Sequence, residues 1–417
     1  MKKLSMLFVL LAMILSACVG QSTPQATEAP PPAATSTPSP TLIVSTSTPL
    51  PTATLSIPEG YLDSAILVSG GHAPELEILD KTLLDFIEQR NIGAAQFVVI
   101  KDGAVILNHA YGWYDTEHTR PFTTDGVMRI ASITKPITMA AIRNLLGEGK
   151  LRGAQKVFCV EDSPTDCLLE IEPLPGATID PNLKDITVNH LIEHKGGWDR
   201  DASFDPMFAS IRIARALKVQ SPPDKYQIAQ YMLGQPLDFK PGAKEAYSNF
   251  GYSLLGQVIE KVSGKTYIQY IQEDLFAPLG VTDVYLGASL PENHRPDEPY
   301  YTCTGKGENV FNPGSQVCWP DGGWSIEGMD AHGGLLISAS SLGAFLNAYC
   351  MDGRHASGPG SCGTYDFFGS LDGTLSLASQ RPDGINYVVI LNNRWDKKNG
   401  DYGDVKQVID SALKLIQ

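Results

Sequence analysis

Ser132 and Lys135 stand three residues apart at the start of an apolar helical pattern. Residues at this spacing lie on one face of a helix, so the hydroxyl and the amine can touch if the helix begins at the serine. Pro136 favours that register, because proline is tolerated in a first helical turn. The serine would then lie at the positive end of the helix dipole, where an oxyanion is stabilised. Taken alone, the same spacing also fits an ordinary N-cap serine.

A second polar pair, Tyr247 and Asn249, stands between the turn at Pro241-Gly242 and an apolar helical pattern that begins at Phe250. A spacing of two on an extended segment puts both side chains on the same side. Tyr247 could then relay a proton, and Asn249 could fix an amine or a substrate carbonyl. The alternative is a tyrosine that packs its ring under the start of a helix.

A helix and a hairpin open the folded part of the chain. Residues 75–90 are amphipathic, and the strands Ala95–Ile100 and Ala104–Tyr111 follow, joined at Asp102-Gly103, a strong hairpin signal. The far end of the chain has the reverse order, with two strands and then a helix: Thr374–Gln380, Ile385–Asn392 and an amphipathic stretch from Val405 to Ile416.

These mirrored ends predict an α/β fold of the α+β type. We expect one mostly antiparallel sheet flanked by helices, with a second helical domain inserted at about 150–345. Within the insertion, Thr187 fits the N-cap of a helix over Val188–His194 that ends at Gly196-Gly197, and a second helix is predicted over Phe250–Val262.

Residues 1–18 have the features of a signal peptide. Lys2 and Lys3 precede an apolar run over 4–15 that is too short to span a bilayer. The run ends in Leu15-Ser16-Ala17-Cys18, which resembles the lipobox of bacterial lipoproteins. The resemblance implies that Cys18 is lipidated and that the protein is exported, anchored to the cell membrane and facing outward. Ordinary cleavage beside an incidental cysteine is the alternative.

Residues 19–57 are rich in Pro, Ser and Thr and carry too little apolar content to build a core. Such a segment is extended and semi-rigid, and we expect it to be a tether. Residues 58–417 remain as the folded domain. The chain has a net charge of −14 and no basic block, so we expect no nucleic-acid partner.

Six cysteines follow Cys18, and an even number in an exported protein predicts disulfides. Six cysteines allow fifteen connectivities. Pairing in sequence order gives three local bridges: Cys159–Cys167, Cys303–Cys318 and Cys350–Cys362. Metal binding is the weaker alternative, because no Cys-x-x-Cys pattern occurs. His190 and His194 are four apart without a third ligand, and we interpret them as surface or packing residues.

Several segments together carry a family resemblance that runs from about Leu76 to the end of the chain. They are Lys101-Asp102-Gly103, Arg129-Ile130-Ala131-Ser132-Ile133-Thr134-Lys135-Pro136, Tyr247-Ser248-Asn249 and Gly333-Gly334-Leu335-Leu336-Ile337-Ser338. With these segments the chain resembles the serine β-lactamase and penicillin-binding-protein superfamily. It is most similar to the class C-like branch of serine hydrolases, esterases and D-amino-acid peptidases.

The resemblance implies roles for the two polar pairs. Ser132 matches the nucleophile, Lys135 its amine partner, Tyr247 the general base and Asn249 the polar residue of the second motif. A serine hydroxyl is a poor nucleophile until a base takes its proton, and a lysine can help only if its pKa is lowered. Backbone N–H groups, including that of Ser132, would hold the oxyanion. Whether Lys135 or Tyr247 takes the first proton stays open.

The third family motif, Lys-Thr-Gly or His-x-Gly on an edge strand, matches Phe367-Phe368-Gly369. Gly369 is retained, and the Ser370 N–H is the candidate second oxyanion donor. Phe367 replaces the cationic or imidazole residue, so the resemblance implies poor recognition of β-lactams and D-Ala-D-Ala peptides. We also expect Asp372 to repel an anion, although Arg394 could supply a positive charge.

The sequence therefore predicts a serine hydrolase that forms an acyl-enzyme with a small-molecule ester or D-amino-acid amide at the cell surface, without a cofactor or a metal. The alternative is a surface-displayed homologue that binds a ligand with little turnover. The departure at Phe367 is the main support for that alternative.

Overall fold

A computed structural model of the chain describes residues 66–71, 73–395 and 402–416. The predicted signal peptide, Cys18 and the predicted tether lie outside the described residues. The described strands, in chain order, are β1 (Val68–Gly70), β2 (Ala94–Lys101), β3 (Ala104–Gly112), β4 (Met128–Arg129), β5 (Tyr285–Leu286), β6 (Lys306–Glu308), β7 (Gln316–Cys318), β8 (Leu335–Ile337), β9 (Tyr365–Leu371), β10 (Thr374–Gln380) and β11 (Ile385–Leu391).

The α-helices of the same residues, in chain order, are α1 (Glu77–Arg90), α2 (Thr134–Gly147), α3 (Val188–Ile192), α4 (Ser210–Leu217), α5 (Lys225–Leu233), α6 (Asn249–Ser263), α7 (Tyr267–Tyr270), α8 (Ala339–Ala348) and α9 (Gly403–Leu413). The predicted α+β class is confirmed, since helices flank sheets whose strands all pair antiparallel.

The main sheet has six strands in the order β1-β3-β2-β11-β10-β9. The two ends of the chain meet at its centre, where β11 pairs with β2 and Val388 lies opposite Val98. The predicted turn at Asp102-Gly103 joins β2 to β3 with positive φ at both residues, as a tight hairpin of this kind requires. Strand β9 forms one edge of the sheet, as the family resemblance implied.

Alternation along β2 assigns its side chains to two hydrophobic cores. Phe97 and Val99 face a core shared with α1 and α9, whereas Val98 and Ile100 face a core shared with α2 and α8. Successive side chains of a strand point to opposite faces, so both faces of a covered strand must be apolar. The apolar run in β2 therefore follows from helices that cover the sheet on both sides.

The predicted helical insertion is helical only in its first part. Helix α2 precedes the expected start at 150 and yet packs with α6 in one core, while residues 280–337 contribute mainly loops and short strands. Helix α3 begins after the predicted cap Thr187 but ends at Ile192, before the predicted end. The chain leaves the helix because His194 takes a left-handed conformation, with φ at 55°, which cannot continue an α-helix.

The three local cysteine pairs are bonded as the sequence predicted: Cys159 to Cys167, Cys303 to Cys318, and Cys350 to Cys362. The second bridge spans the short hairpin of β6 and β7, and the third joins the chain after α8 to the approach of β9. Disulfides of this kind are typical of exported proteins. Within the described part of the chain, no helix combines the length and the apolarity that a membrane crossing needs.

Candidate active site

Ser132 lies in a 3-10 turn, Ala131–Ile133, that leads directly into α2. The α-helix itself begins two residues later than the sequence pattern indicated, at Thr134. Ala131 adopts a positive φ of 44°, which is uncommon for a residue with a side chain. Packing of Ala131 in a small core with Trp324 and Leu371 holds this conformation. The turn is thus fixed by its neighbours and leaves the Ser132 side chain partly accessible.

Lys135 is almost fully buried, with 1% of the residue exposed. Its amine donates one hydrogen bond to the Ser132 Oγ at 3.3 Å and another to the backbone carbonyl of His332 at 2.7 Å. Burial disfavours the ammonium form and lowers the pKa of Lys135 below that of an exposed lysine. This is the condition under which a lysine can take part in proton transfer.

Tyr247 approaches the same serine from the other side. Its hydroxyl donates a hydrogen bond to the Ser132 Oγ across 2.9 Å, and the Lys135 Nζ lies 4.7 Å from the centre of its ring. The following residue, Ser248, caps α6 by accepting a hydrogen bond from the Gly251 N–H at 3.0 Å. The start of α6 therefore fixes the position of Tyr247. The residue does more than pack there, because its hydroxyl contacts the serine.

His194 supports Tyr247, although the sequence analysis placed it among surface or packing residues. The two rings stack with centroids 4.8 Å apart, and the imidazole Nδ1 accepts the Ser248 N–H at 3.1 Å. Burial, with smaller contributions from Lys135 and Arg200, lowers the pKa of His194 to about 4. The neutral ring can therefore accept this hydrogen bond at neutral pH. No sequence signal indicated the contact, since 54 residues separate the two partners.

Asn249 is buried at the first position of α6, with its amide directed to a carboxylate. Its Nδ2 donates to Asp205 Oδ2 at 2.6 Å, and burial raises the pKa of Asp205. No sequence pattern indicated Asp205. Because one donor of the Asn249 amide is already used inside the protein, its role towards substrate stays a prediction.

Ser132 and Tyr247 open onto a cavity of about 530 Å³ that the edge strand β9 also lines. Ser370 lies on β9 and lines the same cavity as Ser132, the predicted nucleophile. A Cβ at Gly369 would stand 2.0 Å from the Ile130 carbonyl oxygen, so glycine allows β9 to approach the serine turn. Phe367 packs against the core shared with α2 and α8, whereas its neighbour Phe368 lines the cavity.

Three aromatic side chains form a wall of the same cavity. Trp319 and Trp324 stack with centroids 5.6 Å apart and nearly parallel rings, and Phe208 meets Trp324 edge-on at 6.1 Å. All three line the cavity. The wall offers a flat apolar surface to a bound molecule.

The charges in the cavity differ from those expected. Arg394 and Asp372 form an ion pair at 2.6 Å, and the Thr304 hydroxyl donates to the same carboxylate at 2.8 Å. The expectation that Asp372 repels an anion is therefore wrong, because its charge is paired. Arg200, which no sequence pattern indicated, lines the same cavity, and its guanidinium carbon lies 4.8 Å from the centre of the Tyr247 ring.

The arrangement brings a hydroxyl, an amine of lowered pKa and a phenol together at one cavity. A hydroxyl next to two groups that can accept its proton is the arrangement of an activated nucleophile. Among the described residues, no group of three or more His, Cys, Asp or Glu side chains could hold a metal ion.

Residues 79–379 match the family model described as Beta-lactamase. Among curated proteins, the chain is 30% identical over 209 residues to the protein of Escherichia coli strain K12 named "Putative D-alanyl-D-alanine carboxypeptidase", covering 47% of this chain and 44% of that protein. It is 27% identical over 249 residues to esterase EstB of Burkholderia gladioli, covering 58% and 59%. The chain thus spans about half the length of these curated relatives.

Solved structures share the fold over most of the chain. The D-amino acid amidase from Ochrobactrum anthropi SV3, complexed with D-phenylalanine, superposes with a TM-score of 0.58 at 19% identity, covering 82% of this chain and 99% of that one. The octameric penicillin-binding protein homologue from Pyrococcus abyssi gives a TM-score of 0.55 at 21% identity, covering 82% and 77%. At these identities the likeness shows the fold alone.

Proposed function

This chain belongs to the Beta-lactamase family, and we propose that it is a serine hydrolase that works through a covalent acyl-enzyme at Ser132 on esters or D-amino-acid amides. One observation carries the proposal. The Ser132 Oγ is contacted both by the Tyr247 hydroxyl at 2.9 Å and by the Lys135 amine at 3.3 Å. Either group can take the proton that the serine must lose.

In the proposed reaction, the Ser132 Oγ attacks the substrate carbonyl carbon while its proton passes to the pair formed by Tyr247 and Lys135. Backbone N–H groups, those of Ser132 and Ser370 in our assignment, hold the resulting oxyanion. Collapse of this intermediate breaks the bond to the leaving group, which receives the proton through Tyr247. Water then attacks the acyl carbon and gives one proton to the same two groups. The bond between the acyl carbon and the Ser132 Oγ breaks, the carboxylic acid product leaves, and Ser132 takes up the proton that came from water.

Two further observations support this role for Lys135 and Tyr247. The low pKa of buried Lys135 reduces the cost of presenting it as a neutral amine. The neutral His194 ring holds Tyr247 by stacking and fixes the following backbone N–H. The stacking and the hydrogen bond limit the freedom of Tyr247, whose hydroxyl must stay within hydrogen-bond distance of the serine.

The cavity and the names of the relatives support a proposal for the substrate class. Relatives and structural neighbours are named as a carboxypeptidase, an esterase and a D-amino acid amidase. The aromatic wall of Phe208, Trp319 and Trp324 favours a small molecule with a flat apolar part. We therefore propose a small ester or amide rather than a polymer strand.

Labelling with a fluorophosphonate probe tests the proposed nucleophile. We expect one adduct by intact mass, mapped to the peptide that contains Ser132 and lost in Ser132→Ala. Ser370→Ala is the matched control, because it removes the hydroxyl of another serine on the same cavity and keeps its backbone N–H. An adduct on a different serine would refute the assignment. Absence of labelling and of ester hydrolysis would favour the ligand-binding alternative.

We also propose that the protein is an exported lipoprotein, anchored through Cys18 and facing outward. The signal-like run ending in Leu15-Ser16-Ala17-Cys18 and the three disulfides support this location. Cys18→Ser should leave the precursor uncleaved or release the protein from membranes. Loss of the bridge between Cys350 and Cys362 in a double serine variant controls for cysteine removal as such. Unchanged processing and fractionation of Cys18→Ser would contradict the anchor.

A further inference from the structure

The two arginines of the active-site cavity are in different electrostatic states. Arg394 is neutralised by Asp372 at 2.6 Å. Arg200 forms no ion pair within the part of the chain that the structure describes, and its side chain is exposed to the cavity. Among the described residues, the charged side chains that line the cavity are these two arginines and Asp372, and Arg200 is the one of the three without an ion pair there. The chain as a whole has a net charge of −14.

The position of Arg200 relates this charge to the reaction. Its guanidinium lies 4.8 Å from the centre of the Tyr247 ring, and the Tyr247 hydroxyl contacts the Ser132 Oγ at 2.9 Å. In the proposed reaction Tyr247 delivers the proton to the leaving group. A group that rests over Tyr247 therefore faces the leaving-group part of the substrate.

Strand β9 does not supply this charge. It carries Phe367 at the position where the family resemblance implied a cation or an imidazole, and this side chain packs against a hydrophobic core. Arg394, the other arginine among the described residues that line the cavity, already has a carboxylate partner. Burial of an anion without a nearby cation costs free energy. We therefore expect an anionic substrate to bind with its negative charge at Arg200.

We propose that Arg200 recognises a carboxylate on the leaving-group part of the substrate and so determines specificity from the Tyr247 side of the cavity. This inference rests on the proposed function and adds to it the charge of the substrate. A guanidinium can grip a carboxylate through two parallel hydrogen bonds, and its fork keeps this geometry while the guanidinium stacks over an aromatic ring. Arg200 is thus a binding residue and takes no part in proton transfer.

Two acetate esters with closely related phenolic leaving groups isolate the carboxylate. They are phenyl acetate and 3-acetoxybenzoate, which differ by one carboxylate on the leaving group. We expect the unmodified protein to prefer 3-acetoxybenzoate in kcat/KM. Arg200→Gln should reduce this preference by about ten-fold, the effect of one charge-assisted hydrogen bond at a partly exposed site. Arg200→Lys should restore only part of it, because an ammonium lacks the fork.

Arg212→Gln is the matched control. Arg212 is also exposed and also lies over an aromatic ring, with its guanidinium carbon 4.0 Å from the centre of Phe204, but it does not line the cavity. Its loss should leave the preference unchanged. Added sodium chloride should weaken the preference of the unmodified protein, since an exposed charge is screened.

The outcomes separate the two proposals. Equal turnover of both esters by the unmodified protein would overturn the role of Arg200 and leave the hydrolase intact. So would an Arg200→Gln variant that loses both activities in the same proportion, because Arg200 would then act through Tyr247. Failure to hydrolyse either ester, together with failure of the probe to label Ser132, would overturn the proposed acyl-enzyme and this inference with it.

Discussion

The Lys135 amine lies 3.3 Å from the Ser132 hydroxyl, and its other hydrogen-bond acceptor is the His332 carbonyl at 2.7 Å. Both acceptors are uncharged, while the amine is buried. An ammonium in such a place lacks a directly bonded carboxylate to offset its lost hydration. The lysine is therefore placed to lose its proton more readily than an exposed one.

The pH dependence of kcat/KM should report this proton. We expect activity to rise with pH as Lys135 loses its proton, because only the neutral amine can help to accept the serine proton. The lowered pKa of Lys135 places this rise below the range in which an ordinary lysine titrates. A rate that falls with pH through this range would make the ammonium the active form.

A variant of Asp205 tests the same assignment. The negative charge of Asp205 opposes the lowering of the Lys135 pKa, so Asp205→Asn should move the rise in kcat/KM to lower pH. Asp201→Asn removes an exposed charge nearby in sequence and should leave the profile in place. Identical profiles for Asp205→Asn and the unmodified protein would show that Lys135 does not set the pH dependence.

Tyr247→Phe should lower kcat by about two to four orders of magnitude, the usual contribution of a positioned general acid or base. Tyr252→Phe is the matched control. Tyr252 is also buried near Lys135, with the amine 5.9 Å from the centre of its ring, but its hydroxyl donates to the Ile192 carbonyl. Its loss should cost about 1 kcal/mol of stability with kcat retained. Similar activity of the two variants in a steady-state ester assay would remove Tyr247 from the mechanism.

His194 should make stability fall in mild acid. Its pKa is about 4 in the folded protein and close to 6.5 when unfolded, so the unfolded chain binds more protons between these values. Stability is then unaffected above pH 6.5 and decreases as pH falls towards 4, by about 3 kcal/mol in total. His194→Gln keeps an acceptor without titrating and should show a smaller decrease. Urea titrations of both proteins at pH 7 and 4.5 measure the two decreases in stability. His294, whose pKa is also lowered by burial, contributes to both proteins alike and cancels in the comparison.

Removal of the bridge between Cys303 and Cys318 should raise KM. Cys318 directly precedes Trp319, whose ring belongs to the aromatic wall of the cavity. Removal of the bridge between Cys159 and Cys167 is the control, because that bridge closes a loop outside the cavity. Loss of a disulfide commonly costs about 2–5 kcal/mol in small exported domains, so both variants should melt earlier. A KM that stays unchanged when Cys303 and Cys318 are both replaced by alanine would show that the wall is held by other contacts.

The sequence by itself determined four of the six strands of the main sheet, β2, β3, β10 and β11, and the helices α1 and α9 that pack on it. Alternating or continuous apolar runs and the turn at Asp102-Gly103 are local signals, and strands that follow one another through tight turns pair with their neighbours. Thr187 as an N-cap is local in the same way. Short spacings likewise sufficed for the three disulfides and for Ser132 with Lys135.

Family resemblance carried the longer step from Ser132 to Tyr247. The two residues are 115 positions apart, and neither spacing nor periodicity could have joined them. The geometry of their contact, and of the contact with Lys135, came from the packing of α2 against α6.

Only the tertiary structure decided the electrostatics of the site. The neutral state of His194, the partner of Asp372 and the contact of Arg200 with Tyr247 all depend on groups from distant segments. A pKa or an ion pair is set by burial and by the charges that lie within a few ångströms. Those neighbours come from folding, so a linear pattern of residue types identifies the reacting groups but cannot assign their charge or their partners.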